Sequence, residues 1–259
     1  MSAAGASSEP CFGAGDAFEM FGVTLTAARF DGAVQKLLGL PKSAGRARVH
    51  FCNVHSLVTA QDEPRLREVF GSPAIVFTDG MPLVWLARHK GYDDQRVSGP
   101  DTMLSILDAG RAEGYRHYFY GGGPGVAEEL AAAMSERLPG LQVCGTYSPP
   151  FRPLTVDEDA HVVEMINAAG PDFLWVGLGS PKQEFWLYDH RASLTVPVML
   201  AVGAAFDFHS GRVRRAPHWM QRTGLEWLYR LASEPRRLSG RYARTNLRFV
   251  AMVLRSRFR

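Results

Sequence analysis

Apolar and polar positions along this chain switch repeatedly between two periods. Short apolar runs predict strands at Val49–Asn53, Ala74–Thr78, His117–Gly121, Gln142–Thr146, Phe173–Gly177 and Val196–Val202. Between them the apolar positions recur at helical spacing. This predicts helices over about Thr26–Leu38, Met81–Lys90, Thr102–Glu113, Gly125–Leu138, Asp157–Ala169 and Lys182–Arg191. The runs AIVF and FLWVG are continuously apolar, as expected of strands covered by helices on both faces. Strand–helix alternation predicts an α/β fold: a Rossmann-like, mainly parallel sheet with helices on both faces. Right-handed crossovers then gather the loops that follow the strands along one edge. The alternation stops after about Gly211, and the rest reads as helical and rich in Arg. The expected organisation is a flexible leader over 1–16, an α/β domain over 17–211 and a basic helical appendage over 212–259.

Charge sharpens this division. Residues 212–259 carry 13 Arg, no Lys and two acids, Glu226 and Glu234. The remainder carries 16 basic and 24 acidic residues. A basic tail on an acidic body points to an anionic partner, either nucleic acid or lipid head groups. The leader has neither a basic n-region nor an apolar h-region, so it does not read as a secretory signal. No segment approaches the roughly 20 apolar residues of a spanning helix. Cys11, Cys52 and Cys144 form no CxxC pair. A disulfide framework or zinc site is therefore not expected, and a reducing cytoplasm fits.

Two strands run into Gly-rich loops that open helices: YFYGGGPGVAEEL, with Gly121, Gly122, Gly123 and Gly125, and WVGLGSPKQEFW, with Gly177, Gly179 and Lys182. Glycines let backbone N–H groups approach an anion, and a helix N-terminus favours it; a tight βα turn explains the same residues. The spacing does not complete GxGxxG, because Val126 takes the third Gly position, and no acid ends the next strand. A dinucleotide oxidoreductase is disfavoured. Asp79 in FTDGMPLVW follows a buried strand, where a carboxylate can act on a ligand or simply cap a turn. Arg96 in QRVSGPDTML can fork onto phosphate oxygens, and Asp101 reads as the N-cap of the next helix. Asn53 in FCNVHSL follows another strand and can hydrogen-bond a base or sugar; His55 beside it reads as structural or exposed. Asp157 and Asp159 spell DxD but fall in a helix's first turn, where acids complement the dipole. Neither a nucleophile elbow nor HExxH is present.

Taken in order, TDGMPLVW, RVSGPD, YGGGPGVAEE, GLGSPKQEFW, VGAAFDFHSGRVRRAPHWMQ and GLEWLYRLASEPRRLSGRY resemble the WecG/TagA/CpsF glycosyltransferase family, over roughly Gly22 to Tyr242. The resemblance implies inverting transfer from a UDP-sugar onto an undecaprenyl-diphosphate-linked sugar in cell-surface polysaccharide synthesis. It also implies an appendage that meets the membrane, hence a cytoplasmic protein peripheral on the inner face of the cell membrane. It makes Asp79 the catalytic base and sets Arg96 and Gln183 on the nucleotide sugar or its diphosphate. Asn53, Thr78, Asp101, Gly121, Gly122, Gly123, Gly177, Gly179, Lys182, Asp207, Arg214 and Arg215 are the further substrate-binding candidates. Many members carry Thr two residues before that Asn; this chain has Phe51. No cofactor is implied beyond the donor, and no metal is expected where Arg can stabilise the diphosphate.

The final segment bears on the membrane directly. On a helical wheel Arg241, Arg244, Arg248, Arg255 and Arg259 share one sector, with Arg257 outside it. Tyr242, Leu247, Phe249, Val250, Val253, Leu254 and Phe258 cover the opposite side. That is the pattern of an interfacial helix, and the main core is expected to close without it. A nucleic-acid-binding module would interleave aromatics with the basic residues, and here they lie opposite. A nucleotide-sugar sensor would keep the Gly loops without turnover. Donor sugar, acceptor and oligomeric state stay open.

Overall fold

The structure is a computed structural model that describes residues 16–43 and 45–256. The leader, Cys11 within it, and the final Arg257, Phe258 and Arg259 lie outside the described residues. In chain order the elements begin with β1 (Ala17–Met20), β2 (Val23–Thr26), α1 (Phe30–Gly39), β3 (Ala47–Cys52), α2 (Val54–Asp62), α3 (Pro64–Gly71), β4 (Ile75–Thr78) and α4 (Met81–His89). There follow α5 (Gly99–Ala109), β5 (Arg116–Gly121), α6 (Val126–Arg137), β6 (Gln142–Tyr147), α7 (Val156–Ala169), β7 (Phe173–Gly177), α8 (Lys182–His190) and β8 (Val198–Ala201). The chain then runs through α9 (Ala205–His209), α10 (His218–Arg222), α11 (Glu226–Ser233) and α12 (Pro235–Ser256).

The eight strands form one sheet in the order β1-β2-β4-β3-β8-β7-β5-β6. Only β1 pairs antiparallel, with β2; every other neighbour is parallel. The expected Rossmann-like α/β architecture is therefore present. The apolar strands divide by period two between the faces. Phe173 and Trp175 join the cluster with Leu37, Met103, Leu130 and Phe206, while Leu174 and Val176 join Ile166 and Leu187 on the other face. A third cluster lies around Leu25, Leu57, Leu66 and Phe70. Each such side chain, fully buried, contributes roughly 1.5–3 kcal/mol.

All six predicted strands are present within about two residues of their expected ends. The β1–β2 hairpin was not anticipated, and it corrects one boundary: Thr26 closes β2, and α1 begins only at Phe30. Nor were α2 and α3 expected. Asn53 caps α2 by accepting the Ser56 N–H at 3.1 Å, and Pro64 opens α3. The N-cap of α5 is Ser98, not Asp101; the Ser98 Oγ accepts the Asp101 N–H, which leaves the Asp101 carboxylate for other partners. The first turn of α7 holds Asp157 and Asp159 as anticipated, behind a Thr155–Glu158 capping box.

The long α12 lies against α2 and divides its apolar residues into two stripes. Leu238, Thr245 and Phe249 are buried, and Phe249 joins the third cluster with Met252 and Val253 packed beside it. Leu247, Val250 and Leu254 are exposed, at 72%, 54% and 52%. Arg248 of the polar face pairs with Asp62 at the end of α2. Among the described residues no helix is long and apolar enough to cross a membrane.

Candidate active site

The parallel register brings the ends of the central strands level, Cys52 with Thr78 and Gly121 with Gly177. The loops leaving these ends wall one cleft of about 1530 Å³. Its floor depends on glycine at two strand ends. A Cβ on Gly121 would sit 2.6 Å from the Gly177 carbonyl carbon, and a Cβ on Gly177 would strike the Phe206 ring. Only hydrogen at both positions lets the two loops open side by side.

Asp79 extends the β4 ladder by one bond, its N–H donating to the Cys52 carbonyl at 2.8 Å, and then leads into α4 through Gly80. The side chain is 17% exposed and lines the cleft. Its Oδ1 is buried and accepts no hydrogen bond from any described residue. Burial, opposed by Arg96 and reinforced by Glu226 and Asp101, pushes this carboxyl up to about 7. Arg96 stands in a loop fixed at several points. Gln95 N–H donates to the Ala28 carbonyl, Asp94 accepts from Ala28 N–H, and Thr78 Oγ donates to Asp94 at 2.6 Å. Arg96 Nη2 lies 3.2 Å from Asp79 Oδ1, off the hydrogen-bonding line, and donates instead to Glu226 Oε2 at 2.6 Å. Arg215 forks onto Asp101, reaching Oδ2 at 2.9 Å, and its Nε lies 3.5 Å from Glu226 Oε1. Burial pushes Asp101 up, but the bonds to Arg215 and Ser98 outweigh it and hold the carboxyl below the usual range.

The cleft collects most of the residues anticipated from sequence: Asn53, Asp79, Arg96, Gly122, Gly123, Gly177, Gly179, Lys182, Gln183 and Asp207 all line it. His55 lines it too. Thr78 is buried with its hydroxyl turned to Asp94, and Gly121 supports the floor from beneath. Asp101 and Arg215 stand behind the lining as a pair, and exposed Arg214 lies outside the cleft. Gln183 is buried and engaged: its Oε1 accepts the Gly179 N–H at 3.1 Å, and its Nε2 donates to Glu184 and to the Ala201 carbonyl. It therefore fixes the shape of the Gly179 loop.

Several lining residues were not singled out from sequence. Glu184 is buried beside Gln183, and burial pushes its carboxyl up to about 7. Arg212 clamps the first Gly loop, binding Glu129 at 2.6 and 2.7 Å and the Pro124 carbonyl at 3.2 Å. Glu226 and Arg230 come from α11, and Arg230 Nε is buried with no hydrogen-bond partner among the described residues. The signal for these four was present in the KQE, SGR and LEWLYR stretches, but without known partners such charges read as surface. Among the described residues no group of three or more His, Cys, Asp and Glu is arranged to hold a metal ion.

A cleft with glycine loops, several guanidinium groups and a carboxyl held near neutrality suits group transfer from an anionic donor, and the chain is a glycosyltransferase. It belongs to the glycosyl transferase WecG/TagA/CpsF family, which it matches over residues 18–259. One relative is an N-acetylglucosaminyldiphosphoundecaprenol N-acetyl-beta-D-mannosaminyltransferase of Bacillus spizizenii. It is 34% identical over 179 residues, covering 69% of this chain and 68% of its own length.

Proposed function

We propose that this enzyme moves a sugar from a UDP-sugar to a hydroxyl of a polyprenyl-diphosphate-linked sugar, with inversion, in the building of a cell-surface polysaccharide. The observation that carries the reading is the Asp79 carboxyl, held near 7 at the mouth of β4 with one edge open to the cleft. A hydroxyl is a poor nucleophile at neutral pH, and a carboxylate with a raised pKa is a competent base for it. The acceptor oxygen attacks the anomeric carbon as Asp79 takes its proton. The bond from that carbon to the diphosphate breaks, and its electron pair goes to the departing UDP. Direct attack from the opposite face inverts the centre. Arg96, Arg230 and the N–H groups of the two Gly loops are the groups available to stabilise the developing charge. In this reading guanidinium groups do what a metal does in other transferases. Asn53, whose Oδ1 caps α2, keeps its amide nitrogen for a sugar or base oxygen. The name of the Bacillus relative supports a polyprenyl-linked acceptor.

A lipid-linked acceptor requires access to the bilayer. The outer stripe Leu247, Val250 and Leu254 supports peripheral attachment to the inner membrane face, as do exposed Trp219, Trp227 and Leu228 and the exposed Arg236, Arg244 and Arg255 of α12. Residues 212–259 serve in this reading as a membrane-associating unit on a catalytic body. The test is release of UDP from a panel of UDP-sugars with lipid-diphosphate-linked acceptors. Turnover with one donor, abolished by omitting the acceptor, is the expected result. Donor binding without release under any pairing would make the chain a sensor.

A further inference from the structure

The ion-pair cluster at one wall of the cleft holds three carboxylates, Asp79, Asp101 and Glu226, against two guanidinium groups, Arg96 and Arg215. The carboxylates are unequal. Asp101 takes the fork of Arg215. Glu226 takes one contact from each Arg, through a different oxygen: Oε2 to Arg96 at 2.6 Å and Oε1 to Arg215 at 3.5 Å. Asp79 is left with the misaligned Arg96 at 3.2 Å and a buried Oδ1 that no described donor serves. The excess negative charge therefore resides where the proton is wanted.

Glu226 reaches this position for a local reason. It opens α11, where an acid complements the helix dipole, and the turn before it passes close over α4 at Gly224. A Cβ on Gly224, whose φ is +74°, would sit 3.0 Å from Met81 Cβ and 3.3 Å from the Trp85 ring. A side chain there would press on α4, so the turn that carries Glu226 depends on glycine.

We infer that Glu226 is a positioning residue for the base: by holding the Arg96 hydrogen bond it keeps that guanidinium from neutralising Asp79. The inference rests on the reading of Asp79 as the base. The groups facing Asp79 are Arg96 from its loop, Glu226 from α11, and Asp101 and Arg215 behind them. Cys52, from β3, is buried and uncharged, with burial holding its thiol protonated. Of the two carboxylates among these, Glu226 is the one that takes the Arg96 hydrogen bond, and Gln in its place removes the charge while keeping an acceptor oxygen. In Glu226→Gln, Arg96 turns toward Asp79, and the Asp79 carboxylate becomes easier to form and weaker as a base.

The experiment uses the full chain with a UDP-sugar and a lipid-linked acceptor, comparing wild type, Glu226→Gln, Glu226→Asp and Asp79→Asn across the pH range. The acidic limb of kcat/KM is expected to move to lower pH by about one unit in Glu226→Gln, with a plateau lowered about threefold to tenfold. Glu226→Asp is expected to restore the limb. Carbon-13 NMR of labelled aspartate, assigned through Asp79→Asn, reads the same carboxyl without substrate: its midpoint should fall in Glu226→Gln. An unmoved limb and midpoint in folded Glu226→Gln, with only the donor KM raised, overturns the inference and leaves Glu226 a structural contact. Near-normal turnover by Asp79→Asn overturns the base reading itself, a result distinct from either.

Discussion

The sheet and the C-terminal helices are built on different physics. The central strands β7 and β8 are buried along nearly their whole length, and the cleft loops they support are tied down by backbone bonds and close glycine contacts. By contrast α11 has no fully buried residue. The C-terminal segment is held to the body by ion pairs, Arg96–Glu226, Arg215–Asp101 and Arg248–Asp62, together with one apolar stripe around Phe249. Apolar burial is not screened by salt, whereas partly exposed ion pairs weaken with it. The first region thus holds the Asp79 carboxyl, and the second adds Glu226 and Arg215 to the charges around it. The proton affinity of that carboxyl comes first from burial and then from charges of both regions, Arg96 and Asp101 of the body and Glu226 and Arg215 of the C-terminal segment.

The strongest way to break this division is at Asp79. Asp79→Asn is expected to lower turnover by about 10²–10⁴-fold with donor binding little changed, measured as UDP release and donor affinity. Next come the two stripes of α12, which should separate cleanly. Replacing Leu247, Val250 and Leu254 with Ser is expected to weaken binding to anionic vesicles by about 10²–10⁴-fold, from roughly 1–2 kcal/mol lost at each, without lowering Tm. Phe249→Ser is expected to lower Tm instead. Removal of residues after Arg237 takes both stripes away. Co-sedimentation with vesicles should then be lost, and activity on full-length lipid should fall further than activity on a water-soluble acceptor. A truncated protein that binds vesicles as well as the full chain would overturn the membrane role.

Within the cleft, Arg96→Ala is expected to lower kcat by about 10²–10³-fold, the range for one lost charge-stabilising donor. Gln183→Ala should act less, and through the Gly179 loop. Steady-state kinetics on soluble, folded variants checks both. The smallest effect is on stability. The Asp79 carboxyl is raised in the fold, so its favourable contribution is complete below the ordinary value near 3.8 and is lost as pH rises through about 7. Asp79→Asn should therefore melt several degrees higher than wild type at pH 8 and alike at pH 4, by calorimetry. His50 and His117 run the opposite way. Burial drops both to about 3, so their contribution is present above the ordinary value near 6.5 and is lost toward acid.

Much of this protein was legible in its residue pattern, because burial on both faces of a sheet demands continuous apolar runs. AIVF and FLWVG could be little else, and the Gly-rich stretches after HYFY and FLWV marked the edge on which the cleft lies. The β1–β2 hairpin escaped because its four-residue strands join through a turn at Phe21 and Gly22 that carries no strong signal; α2 escaped because Asn53 is both strand end and helix cap. Asp79, Arg96 and Gln183 were singled out by motif, and all three line the cleft. Their tasks were not equally visible, since Gln183 faces the loop backbone as well as the cleft.

The sequence by itself determined the strand–helix alternation, the basic tail and the identity of the carboxylate after β4, since each depends on neighbours a few positions away. Only the tertiary structure decided which charges meet. Arg96 and Glu226 stand 130 positions apart, and no periodicity or composition couples them. The same holds for the division of α12 into an inner and an outer stripe. A helical wheel places its apolar residues on one side, but whether that side faces a core or open solvent depends on where α2 lies. The proton on Asp79 is of the second kind: its affinity comes from burial and from charges the fold brings together, and an isolated aspartate has neither.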